Sequence, residues 1–155
     1  MVFFTSCKEK NIFSKRLPDK QVGFLSKKLI KYDRAAQLRY SDSKTKYFSS
    51  TENMLSYIKK YDWNLFKAKV KKAYVVDYDK SKDKKSELWV NATVAFYTYI
   101  KDENGNRILV AFENSKTIKK YQSKILPHNW KHIKPIKEGY FTFIELLREL
   151  RANNK

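Results

Sequence analysis

Four acidic residues that lie close together in the sequence are the first candidates for chemistry. Asp77 and Asp79 alternate along a predicted strand, and Asp83 and Glu87 follow them. Two carboxylates on one face could hold Mg²⁺ for phosphodiester cleavage, as in a small nuclease. The lysines interspersed with these acids favour a different interpretation, an exposed turn in which the charges compensate one another. We therefore assign no catalytic residue and expect a protein that is not an enzyme.

The two histidines are the next candidates. His128 and His132 are four residues apart, a spacing that would place both imidazoles on one face of a helix and allow metal binding. However, Pro127 and Pro135 bracket this short segment, and the neighbouring lysines oppose a cation, so no metal site is expected. With only three glycines in the chain, a phosphate-binding or dinucleotide-binding loop is also unexpected. The sequence therefore predicts no cofactor.

Positive charge is the strongest signal in the chain. Thirty-four Lys and Arg against sixteen Asp and Glu give a net charge of +18 over 155 residues. A small domain needs a net charge of only a few units for solubility, and a larger charge opposes folding through self-repulsion, so an excess of this size indicates a polyanionic partner. Lysine neutralises phosphates without reading bases, which predicts a non-enzymatic protein that binds the DNA or RNA backbone, or another polyanion.

The predicted nucleic-acid-binding residues form two groups. The stretch from Asn114 to Lys137 contains no acidic residue, and its binding residues are predicted to be Lys116, Lys119, Lys120, Lys124, Lys131 and Lys134, with Trp130 between them. The second group is a predicted strand face that presents Lys67, Lys69 and Lys71. If the neighbouring strand pairs in a simple meander, Trp89, Tyr97 and Tyr99 lie on this same face, where bases could stack on them. The alternative is that a helix covers the face and makes the aromatic residues part of the core.

Other classes of function and location stay open. The start of the sequence, from Met1 to Cys7, resembles the end of a bacterial lipoprotein leader, so an upstream start would indicate an envelope lipoprotein or assembly protein near an anionic membrane surface. A protein-interaction module or inhibitor that displaces nucleic-acid contacts is a further alternative. A single cysteine fits a reducing compartment, and the predicted location is the cytoplasm unless a leader precedes Cys7. The oligomeric state is not determined by the sequence.

The first half of the chain is predicted to contain two helices. Asp19 is a suitable N-cap for a helix over about residues 20–39, whose apolar positions are Val22, Leu25, Leu29, Tyr32 and Ala36. Residues 41–50 read as a loop. Ser49 and Glu52 have the spacing of a capping box for a short second helix with Met54, Leu55, Ile58 and Tyr61 on its apolar side.

The middle of the chain has the period of two that is typical of strands. Alternation over residues 66–76 and 88–100 predicts two strands, the second with Leu88, Val90, Ala92, Val94, Phe96 and Ile100 inward. Residues 102–106 carry hairpin turn chemistry, so Ile108, Val110 and Phe112 are expected to return as a third strand. A fourth strand is predicted over residues 117–125.

The C-terminal segment predicts an amphipathic helix. Thr142 and Glu145 have capping-box spacing, and Phe141 with Leu146 can form a hydrophobic staple. The complete order predicts one α+β domain over residues 1–155, with 1–18 as an extended arm and helices packed on a three- to four-stranded antiparallel meander sheet. This order is similar to the cystatin-like and NTF2-like shapes, in which a curved sheet wraps a helix. Only topology supports that similarity, because the Trp-Lys pair at Trp130 is too common to count as a motif, and no family is identified.

Overall fold

A computed structural model describes residues 13–60, 70–126 and 140–152. They form an α+β domain of nine regular elements and one 3₁₀ helix. In chain order these are β1 (Ala36–Tyr40), β2 (Thr45–Phe48), α1 (Thr51–Lys59), β3 (Val70–Val76), β4 (Trp89–Asn91), β5 (Phe96–Lys101), β6 (Arg107–Phe112), α2 (Ser115–Ile118), the 3₁₀ helix (Lys119–Lys124) and α3 (Phe143–Ala152). The predicted α+β class, antiparallel sheet and C-terminal helix are confirmed.

The larger sheet has four antiparallel strands in the order β2-β1-β3-β4. Ala36 of β1 pairs with Phe48 on one side and with Val75 on the other, and Val75 pairs with Val90 of β4. The central strands β1 and β3 are covered on both faces, because Val75 and Val76, which point to opposite faces, are both buried.

Strands β5 and β6 form a separate two-stranded sheet with the predicted tight turn. The Asp102 carboxylate accepts hydrogen bonds from the backbone N–H groups of Asn104 and Asn106, and Gly105 adopts φ +78°. This positive φ is the reason that glycine suits the position. The sheet is joined to the C-terminal region by two hydrogen bonds between the backbones of Tyr97 and Phe141, at 2.9 and 2.7 Å.

Helices α1 and α3 close the main core. Buried residues of α1 (Met54, Leu55 and Ile58) and of α3 (Phe143, Leu146 and Leu147) pack with apolar residues of both sheets. The predicted capping box of α3 is present, because the Glu145 N–H donates to the Thr142 Oγ1 and the Thr142 N–H donates to the Glu145 carboxylate. Both members of its predicted staple, Phe141 and Leu146, are buried.

The predicted helix over residues 20–39 is wrong. Only its last four residues, 36–39, lie in strand β1, and the residues before them form turns and an irregular loop in which Val22 and Leu29 make an isolated antiparallel bridge. Asp19, the predicted N-cap, instead pairs with Lys84, with 2.7 Å between Oδ1 and Nζ. Strand pairing of β1 with both β2 and β3 satisfies its backbone on two sides, and this long-range gain outweighs local helix propensity.

Two strand predictions are also corrected. The predicted strand over residues 88–100 is two strands, β4 and β5, which belong to different sheets and are separated by a turn at residues 92–95. Val94 was expected to point inward, yet it lies in this turn and is exposed. The predicted fourth strand over residues 117–125 is α2 and the 3₁₀ helix, which Asn114 begins by accepting a hydrogen bond from the Lys116 N–H. The sheet is therefore not a simple meander.

The segment from residue 13 to residue 17 is extended across one face of the larger sheet. The buried Gln37 side chain bonds to both the N–H and the C=O of Lys15, at 2.9 and 2.8 Å, and the Glu87 carboxylate accepts a hydrogen bond from the Leu17 N–H. Leu17 is buried against Ile30 and Val76. Among the described residues, no helix is long and apolar enough to span a membrane.

Candidate interaction surface

The structure describes only part of the predicted nucleic-acid-binding set. Lys116 lies on α2, and Lys119, Lys120 and Lys124 lie on the 3₁₀ helix, all four exposed. Lys71 belongs to β3. Lys67, Lys69, Trp130, Lys131 and Lys134 lie outside the described residues, as do Cys7, His128 and His132.

The predicted stacking face of Trp89, Tyr97 and Tyr99 does not exist. Tyr97 is fully buried, its hydroxyl donates to the Ala92 carbonyl at 2.5 Å, and burial raises its pKa well above the usual value for tyrosine. Tyr99 packs against the same core beneath the Arg107 guanidinium, which is 4.1 Å from the ring centroid. Trp89 lies on β4, in the other sheet, and donates its Nε1–H to Glu87. The predicted face is therefore absent, because Trp89 lies on β4 whereas Tyr97 and Tyr99 lie on β5, and these two strands belong to different sheets.

The acidic cluster is structural. Asp77 is buried, and its carboxylate accepts hydrogen bonds from the backbone N–H groups of Lys80 and Glu113, both at 2.8 Å. The Asp79 carboxylate accepts a hydrogen bond from the Tyr121 hydroxyl at 2.6 Å. Burial is the main cause that raises the pKa of Tyr121, and the hydrogen bond to Asp79 raises it further. Within the described ranges, no group of three or more His, Cys, Asp or Glu could hold a metal ion.

Residues 21–30, hereafter the 21–30 loop, form the most unusual surface of the described structure. Hydrogen bonds fix the backbone of the loop from within, from Gly23 N–H to the Lys28 carbonyl at 2.9 Å and from Ile30 N–H to the Gln21 carbonyl at 3.0 Å. A third bond, from Phe24 N–H to the Tyr47 carbonyl at 2.8 Å, attaches the loop to β2. The conformation of the loop is thus set by its own backbone and by the sheet edge.

Gly23 is required at the closest approach of the loop to the sheet. A Cβ atom at this position would lie 2.6 Å from the Ser26 Oγ and 3.0 Å from the Ser49 backbone nitrogen. The Ser26 hydroxyl could rotate away from a Cβ, whereas the Ser49 nitrogen belongs to the backbone and would have to shift by a few tenths of an ångström. Gly23 therefore permits the loop to lie against the chain just before α1.

This fixed loop carries apolar side chains that are partly or largely exposed to solvent. Leu29 is 65% exposed and Val22 is 42% exposed, and Phe24 and Leu25 are also exposed. Four exposed apolar side chains within eight residues are a patch rather than the scattered single residues normal on a surface. Three exposed lysines, Lys20, Lys27 and Lys28, flank the patch, and none has an ion-pair partner among the residues that the structure describes. The surface thus combines an apolar centre with a basic rim.

Behind the patch, an aromatic cluster joins the loop to the body of the protein. The Phe24 ring contacts those of Tyr57 and Phe48 edge-on, with centroid distances of 5.3 and 6.0 Å. Lys46 of β2 points its ammonium group into this cluster and donates a hydrogen bond to the Tyr57 hydroxyl at 2.8 Å. Burial raises the pKa of the adjacent Tyr47, whose hydroxyl donates to the Arg16 carbonyl at 3.1 Å.

Sequence reasoning missed this surface because Val22, Leu25 and Leu29 were read as the buried stripe of a helix. Two signals disagreed with that interpretation. Gly23 would sit in the interior of the helix, where glycine is unfavourable by about 1 kcal/mol. Phe24 and Leu25 are also adjacent, so they cannot both lie on one narrow helical stripe.

Comparison with known proteins identifies the fold and not a family. No family model matches the chain, and no curated protein matches it. Its structure is similar to the crystal structure of the copper chaperone NosL from Shewanella denitrificans, with a TM-score of 0.61 and 17% sequence identity. The match covers 86% of this chain and 94% of that one. The protein that shares the fold is titled a chaperone and not an enzyme.

The predicted function and partner are corrected by this finding. A nucleic-acid-binding protein was expected, whereas the protein that shares this fold is titled a copper chaperone. The loss of the predicted aromatic face agrees with the correction, because Tyr97 is in the core and no base could stack on it. The prediction of a DNA or RNA partner is therefore wrong.

Proposed function

We propose that this protein is a non-enzymatic accessory protein, of the chaperone type, that binds a protein partner through the 21–30 loop. The observation that carries the proposal is the exposure of Val22, Phe24, Leu25 and Leu29 on a hydrogen-bonded loop. A loop fixed in advance loses little conformational entropy on binding, so its apolar side chains contribute more of their burial energy to affinity. The shared fold with a copper chaperone supports the same class of function.

The basic rim indicates the chemistry of the partner. Lys20, Lys27 and Lys28 surround the apolar centre, and the whole chain carries +18. An acidic partner would associate faster through electrostatic steering, and its carboxylates would pair with the rim while an apolar pocket received the loop. The partner is therefore expected to present an apolar pocket edged by Asp and Glu.

Site-specific crosslinking in the native cells tests the contact. A photoreactive phenylalanine analogue at Leu25 or Leu29 should crosslink one partner protein, with the crosslinked peptide close to carboxylates. The same analogue at Val94 or Ile144, which are exposed apolar residues elsewhere on the molecule, is the matched control. Equal crosslinking from all four positions, or crosslinking to lipid alone, would contradict the proposal.

Affinity for the purified partner then measures the contribution of the loop. Leu29→Asp should weaken binding by about tenfold or more, equivalent to about 1.4 kcal/mol, because it places a charge in the apolar contact. Val94→Asp should leave binding unchanged. Unchanged affinity of the Leu29 variant would refute docking through the loop even if a partner exists.

Copper carriage is a second candidate function. It is favoured by the similarity to a copper chaperone and by Cys7, since thiolate and imidazole are ligands that suit Cu(I) and Cu(II). Among the described residues, no group of three or more His, Cys, Asp or Glu could hold a metal ion, and Met54 is fully buried. The candidate ligands are Cys7, His128 and His132, which lie outside the described residues.

A competition titration with a chromophoric Cu(I) chelator tests this candidate. Cys7→Ser should weaken Cu(I) binding by about tenfold or more if the thiolate is a ligand, and His128→Gln with His132→Gln tests the imidazoles. Binding that is absent in the native protein, or unaffected by all three substitutions, rules out copper carriage by these residues.

The cellular location is a related prediction. The cytoplasm is expected unless a leader precedes Cys7, in which case lipid attachment to the thiol would place the protein in the bacterial envelope. Labelling of cells with a tagged fatty acid separates the two locations. If the tagged fatty acid labels the native protein but not Cys7→Ser, the protein is attached to the envelope through Cys7. If the native protein is not labelled, the prediction of a cytoplasmic location stands.

A further inference from the structure

The Lys46 ammonium group is surrounded by three aromatic rings. Its Nζ lies 4.6 Å from the centroid of Phe24, 5.0 Å from that of Tyr57 and 5.1 Å from that of Tyr40. A cation within about 6 Å of a ring face is attracted by the ring quadrupole, and several rings around one cation are the arrangement that recognises alkylammonium ligands. The hydrogen bond to the Tyr57 hydroxyl, at 2.8 Å, fixes the direction of the side chain and places its Nζ at the hydroxyl edge of that ring, so Phe24 and Tyr40 supply the ring faces and Tyr57 supplies an oxygen acceptor.

The three rings come from three different parts of the fold. Phe24 belongs to the 21–30 loop, Tyr40 ends β1 and Tyr57 lies on α1, whereas Lys46 is on β2. Tyr57 is buried, Tyr40 is half-buried and Phe24 is exposed. The ammonium group therefore joins an exposed loop residue to two residues of the body of the domain.

We propose that Phe24, Tyr40 and Tyr57 form a cation-binding cage for ammonium groups, that Lys46 of the same chain fills it, and that the filled cage positions the 21–30 loop. Lys46 is then a positioning residue: it holds the Phe24 ring, and with it the exposed apolar patch. The relevance of this cage to partner binding rests on the proposed function, whereas the existence of the cage does not.

Amide hydrogen exchange gives a direct readout of the loop. The Phe24 N–H donates to the Tyr47 carbonyl at 2.8 Å and the Gly23 N–H donates to the Lys28 carbonyl at 2.9 Å, so both amides should be protected while the loop is in place. Lys46→Met keeps the length of the side chain and removes its charge. It should accelerate exchange at both amides by about tenfold, with no change at the Phe141 amide, which donates to the Tyr97 carbonyl at 2.7 Å.

Two substitutions serve as controls. Lys44→Met removes a neighbouring lysine whose side chain is 82% exposed and pairs only loosely with Asp42, with 3.6 Å between charged atoms, and it should leave exchange at Phe24 unchanged. Lys46→Arg keeps a cation that can lie on the rings and should retain most of the protection. Equal protection in the native protein and in Lys46→Met would overturn the proposal, because simple packing would then be sufficient.

Chemical rescue tests the cage as a binding site. Lys46→Ala leaves the rings without their cation, and tetramethylammonium chloride should then bind and slow exchange at the Phe24 amide, whereas sodium chloride at the same concentration should not. The native protein, whose cage is filled, should not respond to either salt. An identical response to both salts in Lys46→Ala would refute cation recognition, and urea unfolding confirms beforehand that each variant is folded.

The outcomes of these experiments on the cage do not depend on the outcomes of the experiments on partner docking. If exchange and rescue behave as expected but Leu29→Asp does not affect partner binding, the cage is supported and docking through the loop is refuted. If Leu29→Asp weakens binding while Lys46→Met leaves exchange unchanged, docking stands and the role of the cage is refuted. If both hold, Lys46→Met should also weaken binding to the partner, mainly through slower association.

Discussion

Tyr99 shows how a single side chain that was assigned to nucleic-acid contact instead serves the core. It packs against the main hydrophobic cluster, with the Arg107 guanidinium over its ring. Its pKa is raised to about 12, mainly by burial and secondly by the negative charge of Glu52, while Arg107 acts to lower it. The folded protein therefore holds this phenol in its neutral form at a pH where an unfolded tyrosine loses its proton.

A pH dependence of stability follows from the raised pKa of Tyr99. In the unfolded chain the phenol ionises near pH 10, and in the folded protein near 12. The stabilisation is therefore complete below pH 10 and is lost as the pH rises from 10 to 12, with a slope of at most about 1.4 kcal/mol per pH unit. Urea unfolding at pH 9.5 and 11.5 should show a steeper loss for the native protein than for Tyr99→Phe.

The comparison with Tyr99→Phe isolates this residue. Lysines also lose their protons in this pH range, but they do so in both proteins, so their contribution cancels in the difference. Parallel losses of stability in the two proteins between pH 9.5 and 11.5 would show that ionisation of Tyr99 is not linked to unfolding.

At the scale of elements, the sequence predicted those whose signals are local. Strand β6, the turn at residues 102–106 and helix α3 with its capping box are confirmed. Strand β3 is confirmed over the described part of the predicted range, from Val70 to Val76. Each of these elements carries its own boundary chemistry, a glycine turn or a cap, so a short window is sufficient to find it.

The elements that depend on distant partners were not predictable. Residues 36–40 form β1 because they lie between β2 and β3, and residues 21–30 keep their shape through contacts such as the bond from Phe24 to Tyr47. No window of the sequence contains both partners of such a contact. The candidate interaction surface was missed for the same reason, since apolar spacing alone does not show whether a residue is buried or exposed.

Helix α1 provides a test of boundary chemistry at the level of one element. The sequence placed its cap at Ser49, but the structure places it at Ser50, whose Oγ accepts a hydrogen bond from the Asn53 N–H at 3.1 Å. Ser49 instead accepts a bond from the Asn53 side chain at 2.7 Å. Because an N-cap satisfies a backbone donor that has no intrahelical partner, Ser50→Ala should lower the free energy of unfolding by about 1 kcal/mol.

The matched substitutions for α1 are Ser49→Ala and Ser50→Asp. Ser49→Ala should cost less than Ser50→Ala, since it removes only a bond between side chains, and Ser50→Asp should retain the stability of the native protein because aspartate is an equally good cap. Urea unfolding followed by far-UV circular dichroism measures all three variants. A larger loss of stability from Ser49→Ala than from Ser50→Ala would indicate that Ser49 is the N-cap, as the sequence predicted.

At the scale of the whole molecule, the chain carries a net charge of +18. Exposed lysines occur on the 21–30 loop, on the turn after β3 and on the 3₁₀ helix. The ion pairs of the described residues include several between exposed side chains, such as Lys31 with Glu103 and Lys80 with Glu113. Such pairs contribute only about 0–1 kcal/mol each, so they do not offset the repulsion of the excess cations.

Screening of this repulsion by added salt should therefore stabilise the protein. The distance over which charges act falls from about 30 Å at 0.01 M salt to about 10 Å at 0.1 M, which weakens long-range repulsion more than the short ion pairs. Thermal unfolding in sodium chloride from 10 to 300 mM should show a rise in Tm, with about 2–4 °C for each kcal/mol gained. A Tm that falls with added salt would show that the ion pairs outweigh the repulsion.

Charge reversal on the 3₁₀ helix distinguishes general repulsion from a specific anion site. Lys119 and Lys124 are exposed and have no ion-pair partner among the described residues. Lys119→Glu with Lys124→Glu reduces the positive charge, so this variant should have a higher Tm than the native protein at 10 mM salt and a smaller rise on adding salt. Stabilisation of the native protein by sulfate but not by chloride at equal ionic strength would instead indicate one bound anion, and the variant would then lose the effect.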